Sequence, residues 1–103
     1  MRSRRHRRVI TEFVRLYRDV YKHDKDFPIN THSGYAWDAI TIVANAMKKA
    51  GTDPKALRTA IEETKGYVGV SGIYTLTAED HNGLDVDSMV MVQVKDGKFV
   101  PAE

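Results

Sequence analysis

A chain of 103 residues, of which 42% are hydrophobic and 29% charged, is long enough for one small globular domain and ordinary in composition. It contains no cysteine, which excludes disulfides and thiolate metal sites, and no apolar run long enough to span a bilayer. The net charge of +2 is unevenly spread along the chain. Five of the 16 basic residues stand in the first eight positions, so the rest of the chain has 11 basic and 14 acidic residues.

The basic head, residues 1–8, is predicted to be disordered, because clustered like charges repel one another and bury little apolar surface. The segment that follows, 9–17, carries polar and charged side chains and lacks the apolar core and cleavage site of a secretory signal peptide. We therefore predict a head at 1–8, a folded body at 9–103, and a cytoplasmic location if the chain is expressed as written. The head contains Arg2, Arg4, Arg5, Arg7 and Arg8.

Three amphipathic helices are predicted in chain order. The first runs from Ile10 to near His23–Lys25 and is broken before Pro28, since proline disfavours a helical residue before it. The third begins at Pro54, a favourable first helical residue, and buries one apolar face. That face carries Leu57, Ala60 and Ile61.

The second helix follows a polar connection and stops at Gly51, which suits a left-handed helix end. Its apolar face is predicted to form part of the core. That face carries Trp37, Ile40, Val43, Ala44 and Met47.

After the helices the chain becomes rich in β-branched and aromatic residues, from Tyr67 to Thr77, and a further strand is predicted from Ser88 to Val94. The pair Asp96-Gly97 is typical of a two-residue hairpin turn. The predicted fold class is therefore α/β, with three helices followed by short β-strands.

The order of these elements resembles the C-terminal part of the type I periplasmic binding proteins, the substrate-binding receptors of branched-chain-amino-acid-type ABC importers. Family-like order and spacing cover about residues 10–101, although no single motif is specific, and Trp37 stands where the family usually has tyrosine. The motifs are Trp37-Asp38-Ala39, Ala50-Gly51-Thr52-Asp53-Pro54, Gly69-Val70-Ser71-Gly72, Asp80-His81-Asn82-Gly83 and Asp96-Gly97-Lys98-Phe99-Val100.

The resemblance implies a partial type I binding-protein fold and a non-enzymatic function. In such receptors two lobes close on a small ligand in the periplasm, and the closed form docks on a membrane permease. Most of both lobes has no counterpart here, so the chain resembles a piece of a longer receptor. We expect the isolated piece to expose apolar helix faces and strand edges, and to self-associate or swap segments.

The resemblance also implies a ligand-lining loop before the second helix. Backbone N–H groups at a helix start favour an anion, so a small carboxylate such as an amino acid or an aromatic acid is the expected ligand. His32 could stack on an aromatic ligand or pair with an acid. The alternative is a purely structural loop in which Thr31 or Ser33 caps the helix. The loop consists of Asn30, Thr31, His32, Ser33 and Gly34.

A different class of function would use the arginine-rich head to bind nucleic acid or an anionic membrane surface. The alternatives are that the head is a solvated tail, or that it results from translation from an upstream start in a disrupted gene. The sequence shows no basic stripe with interleaved aromatic residues, so we do not expect nucleic acid as a partner.

The sequence contains no set of residues with the types and spacing of a catalytic site. The four histidines have no metal-ligand spacing, Ser33 has no arranged base, and no nucleotide-binding loop is present. We therefore predict neither a metal nor a cofactor.

Overall fold

A computed structural model describes residues 3–102. Three α-helices precede four short strands, which agrees with the predicted α/β order. The helices are α1 at Arg4–Val14, α2 at Thr31–Ala50 and α3 at Pro54–Glu62; the strands are β1 at Tyr67–Val68, β2 at Ile73–Tyr74, β3 at Val92–Lys95 and β4 at Lys98–Pro101.

Helix α1 begins at Arg4, inside the segment for which we predicted disorder. Ser3 caps it, with its hydroxyl accepting a hydrogen bond from the backbone N–H of His6 at 3.2 Å. The His6 side chain is buried, and its Nε2 lies 3.0 Å from the carbonyl oxygen of Val70. A cap and a long-range contact thus order residues 4–8 despite their charge, while residues 1 and 2 lie outside the described range.

The same helix continues beyond Val14 as a wider π-helical stretch at Arg15–Val20. The predicted first helix is therefore present, but it begins before Ile10 and ends before the predicted His23–Lys25. Lys22 then adopts a left-handed conformation, with φ of 55°, and a single turn at His23–Lys25 leads into the connection to α2.

The buried face of α2 differs from the predicted one. Residues at four-residue spacing are buried, whereas Ile40 is 72% exposed and Met47 is 41% exposed. The reason is that α3 and the turn at 69–72 pack on the side of α2 that carries Asp38, a polar residue that hydrophobic periodicity passes over. The buried residues are Gly34, Asp38, Ile42 and Ala46.

The core that results is small. Strands β1 and β2 form an antiparallel ladder that aligns Tyr67 with Tyr74. Tyr74 packs with Ile42 and Leu76 in the buried cluster, and Ile61 from α3 lies partly buried against it. The apolar face of α3 is therefore turned towards the core as predicted.

The C-terminal hairpin of β3 and β4 confirms the predicted Asp96-Gly97 turn. Both turn residues have positive φ, 52° and 73°, as a two-residue turn with the right twist requires. The predicted strand from Ser88 begins only at Val92, because Val86–Ser88 forms a short 3₁₀ turn. One face of the hairpin is apolar and exposed; it carries Val92, Val94, Phe99 and Pro101.

Candidate functional site

The start of α2 is closed by a reciprocal cap. The Asn30 side chain accepts a hydrogen bond from the Ser33 N–H at 3.0 Å, and the Ser33 hydroxyl accepts one from the Asn30 N–H at 3.1 Å. Asn30 is thus the N-cap, with Ser33 as its partner in a capping box. The alternative that Thr31 or Ser33 is itself the N-cap is wrong, because Thr31 is already the first helical residue.

Gly34, the last residue of the predicted ligand loop, serves packing. It is buried, and a Cβ at this position would lie 3.3 Å from both the Ser71 hydroxyl oxygen and the Val70 Cγ1. Its lack of a side chain lets the turn at 69–72 approach the first turn of α2.

Thr31 and His32 remain outside both the cap and the packing. Their side chains are exposed, and the first N–H groups of an α-helix have no carbonyl partner within the helix. The positive end of a 20-residue helix dipole adds to these donors. An anion such as a carboxylate could accept from them, so the geometry permits the predicted ligand contact at two of the five predicted residues.

Asp38 is the polar centre of the region, and no role was predicted for it from the sequence. Its side chain is 1% exposed and accepts three hydrogen bonds. The donors are the Val70 N–H at 2.7 Å, the Ser71 N–H at 2.9 Å and the Tyr74 hydroxyl at 2.9 Å. The sequence carries one indication of this role. Asp38 stands four residues after Gly34 on the same helix, and the Gly-x-x-Gly turn that packs on this helix follows later in the chain.

The bonds of Asp38 and the contact of His6 together join four parts of the chain: α1, α2, the turn at 69–72 and β2. Asp38 fixes the turn at 69–72 to α2, and the Val70 carbonyl in turn meets His6 of α1. Gly34 lets the turn pack closely against the start of α2. The exposed residues Thr31 and His32 therefore lie at the start of a helix whose position these contacts fix.

Burial raises the pKa of Tyr74 well above its ordinary value of 10.0, and the hydrogen bond to Asp38 acts in the same direction. In the unfolded chain this tyrosine ionises near pH 10, whereas its raised pKa keeps it protonated to higher pH in the folded chain. The free energy of unfolding should therefore fall as the pH rises above about 10.

We predict that Tyr74→Phe lowers the free energy of unfolding near neutral pH by about 1 kcal/mol, through loss of the hydrogen bond to Asp38. It should also reduce the loss of stability above about pH 10. Urea midpoints at neutral and alkaline pH measure both effects, and Tyr21→Phe, at a 64% exposed tyrosine, is the control. An alkaline loss as large in Tyr74→Phe as in the original chain would contradict the assignment.

Glu62 of α3 contacts the side chains of Arg58 and His81. The Arg58 guanidinium, and after it the His81 ring, lower the pKa of the Glu62 carboxyl. The His81 Nε2 lies 3.0 Å from Glu62 Oε1 and ties the loop after β2 to α3.

Within residues 3–102, no three histidine and carboxylate side chains stand together in a way that could hold a metal ion. Over the same range no helix combines the length and the apolar character that crossing a membrane demands.

The model of the family described as "Periplasmic binding protein" matches residues 6–98, and the chain belongs to that family. Comparisons with curated proteins and with solved structures give no match. Membership supports a solute-binding role with a small-molecule ligand, and it fits the expectation of a binder without enzymatic chemistry. The periplasm is the location that the family suggests.

Proposed function

We propose that the chain supplies one wall of the ligand cleft in a periplasmic receptor of the branched-chain-amino-acid ABC importer type. The ligand is a small carboxylate, either an amino acid or an aromatic acid. The observation that carries this proposal is the start of α2, where Thr31 and His32 are exposed beside free helix N–H groups, while Asn30 and Ser33 form the cap.

The proposed contact uses the ligand's carboxylate. Its oxygens accept from the N–H groups of Thr31 and His32, where the helix dipole also favours negative charge. The imidazole of His32 packs on the ligand's side chain or pairs with a second acid. Because Asp38 anchors α2 to the turn at 69–72, little ordering is needed on binding.

In this proposal the chain corresponds to the C-terminal part of the receptor, and the opposite wall of the cleft belongs to other segments. Closure of the two walls on the ligand then produces the form that docks on the permease. The exposed Ile40 and the apolar face of the β3–β4 hairpin are surfaces that such segments could cover. Self-association of the isolated chain through these surfaces stays a prediction.

The test is an NMR titration of the chain with L-leucine and with benzoate. Binding to one wall is expected to be weak, on the order of 1 mM or about −4 kcal/mol, with the largest amide shifts at Thr31 and His32. His32→Ala should weaken binding of the better ligand by roughly tenfold, the effect of about 1.4 kcal/mol.

The matched control is His81→Ala, which removes an imidazole that is 60% exposed and lies in the loop after β2. It should leave the affinity unchanged. Shifts that spread over the surface without a maximum at residues 31 and 32, or equal losses in the two variants, would contradict the ligand-lining role of this loop.

A further inference from the structure

An open groove of about 1090 Å³ runs beside the N-terminal half of α1. Arginines from the first two turns of α1 line it together with one aromatic residue from α2 and one from β1. The residues that matter are Arg4, Arg5, Arg7, Arg8, Trp37 and Tyr67.

The positive charge of this groove is not neutralised within the described part of the chain. The groove's one carboxylate, Glu12, is held by Arg15 through two hydrogen bonds of 2.8 and 3.0 Å. The next arginine along, Arg18, lies 3.7 Å from Asp24. Among residues 3–102, the ion pairs do not include the arginines at positions 4, 5, 7 and 8, so four guanidinium groups face the groove and solvent.

The arginines stand on a fixed helix, because Ser3 caps α1 and His6 contacts the Val70 carbonyl. The aromatic residues are fixed as well. The Trp37 ring packs edge-on against Phe13, with centroids 5.6 Å apart, and the Tyr67 ring lies 6.3 Å from that of Tyr74. A basic surface with aromatic residues beside it, which the sequence does not show, is thus created by the fold.

We propose that this groove binds single-stranded nucleic acid, with phosphates on the arginines and bases against Trp37 and Tyr67. A single small anion engages one or two guanidinium groups, whereas a single strand offers phosphates and aromatic rings in alternation. An anionic membrane favours apolar side chains that project outwards, and here Trp37 and Tyr67 are half-buried in the groove. The site shares no residue with the loop at 30–34 and goes beyond the proposed solute binding.

Trp37 is the only tryptophan of the chain and reports directly on the groove. Titration with a twelve-residue oligothymidylate should quench its fluorescence. The logarithm of the association constant should fall with the logarithm of salt concentration, with a slope of up to about −3 for four phosphate contacts. Inorganic polyphosphate, which has no bases, should bind more weakly and leave the fluorescence of Trp37 nearly unchanged.

The decisive variant replaces Arg4, Arg5, Arg7 and Arg8 with glutamine, a good helix former that removes four charges. It should weaken oligothymidylate binding by at least about tenfold and flatten the salt slope. The matched control removes the same number of charges outside the groove at exposed positions. Its substitutions are Lys25→Gln, Lys48→Gln, Lys55→Gln and Lys65→Gln.

Three results would overturn the proposal, and the first two need no variant. One is saturation by oligothymidylate without any change in Trp37 fluorescence. Another is tighter binding to vesicles that contain phosphatidylserine than to oligothymidylate, which assigns the arginines to a membrane surface. The third is an equal loss in the two quadruple variants, which leaves only the net charge of the chain.

Discussion

Replacement of Asp38 with alanine is expected to lower the free energy of unfolding by about 3–5 kcal/mol. The carboxylate is 1% exposed and accepts from two backbone N–H groups and one hydroxyl. Alanine leaves these partly or fully buried donors without an acceptor, and the turn at 69–72 loses its anchor on α2. Since small domains are stable by only about 5–15 kcal/mol, a large share of the total stability is at stake.

Urea denaturation followed by circular dichroism measures this loss, and two further variants make it specific. Asp38→Asn keeps the shape but sets an amide donor against donors, so an intermediate loss is expected. Asp87→Ala changes an exposed aspartate in the 3₁₀ turn and should cost less than about 0.5 kcal/mol. If Asp38→Ala cost no more than Asp87→Ala, the turn at 69–72 would owe its position to other contacts.

Features that depend on local chemistry could be predicted from the sequence. The start of α3 follows from a side-chain cap, since Asp53 accepts from the Ala56 N–H at 3.0 Å, and from Pro54 at the first helical position. The β3–β4 turn follows from Asp96-Gly97, where both residues adopt positive φ. In each case the deciding atoms lie within a few residues of one another.

Features that depend on distant partners could not be predicted in this way. Hydrophobic periodicity predicted that Ile40 lies in the core and that Asp38 does not. Such a pattern cannot recognise a carboxylate that is buried because hydrogen-bond donors surround it. The donors stand about 30 positions later, at Val70 and Ser71. The order of residues 4–8 likewise depends on Val70, which meets His6 across the fold.

The candidate sites also differ in whether they depend on local residues or on distant partners. The capping box of Asn30 and Ser33 is a local pattern that the sequence carries, although the N-cap is Asn30 and not the predicted Thr31 or Ser33. The ligand-lining role of Thr31 and His32 came from a resemblance and stays a proposal. The aromatic side of the arginine groove arises only when α2 and β1 pack beside α1.

Gly69 packs against the side chain of Asp38, and its replacement is expected to have the second large effect on stability. A Cβ added there would lie 2.6 Å from Oδ1, 2.7 Å from Cγ and 2.8 Å from Oδ2 of Asp38, all shorter than a van der Waals contact. The carboxylate cannot move aside without giving up hydrogen bonds to the turn and to Tyr74. We therefore expect Gly69→Ala to lower the free energy of unfolding by about 2–3 kcal/mol.

The origin of that loss can be isolated in a double-mutant cycle, because the obstacle to the new methyl group is one side chain. In the Asp38→Ala background the carboxylate is gone, so Gly69→Ala should cost less than about 0.5 kcal/mol, a coupling of roughly 2 kcal/mol. Gly66→Ala is the matched control. It strains a left-handed residue, with φ of +65°, but meets no atom within 4 Å, so its cost should add to that of Asp38→Ala. Additive losses for Gly69→Ala would show that its methyl group meets the backbone of the turn and not Asp38.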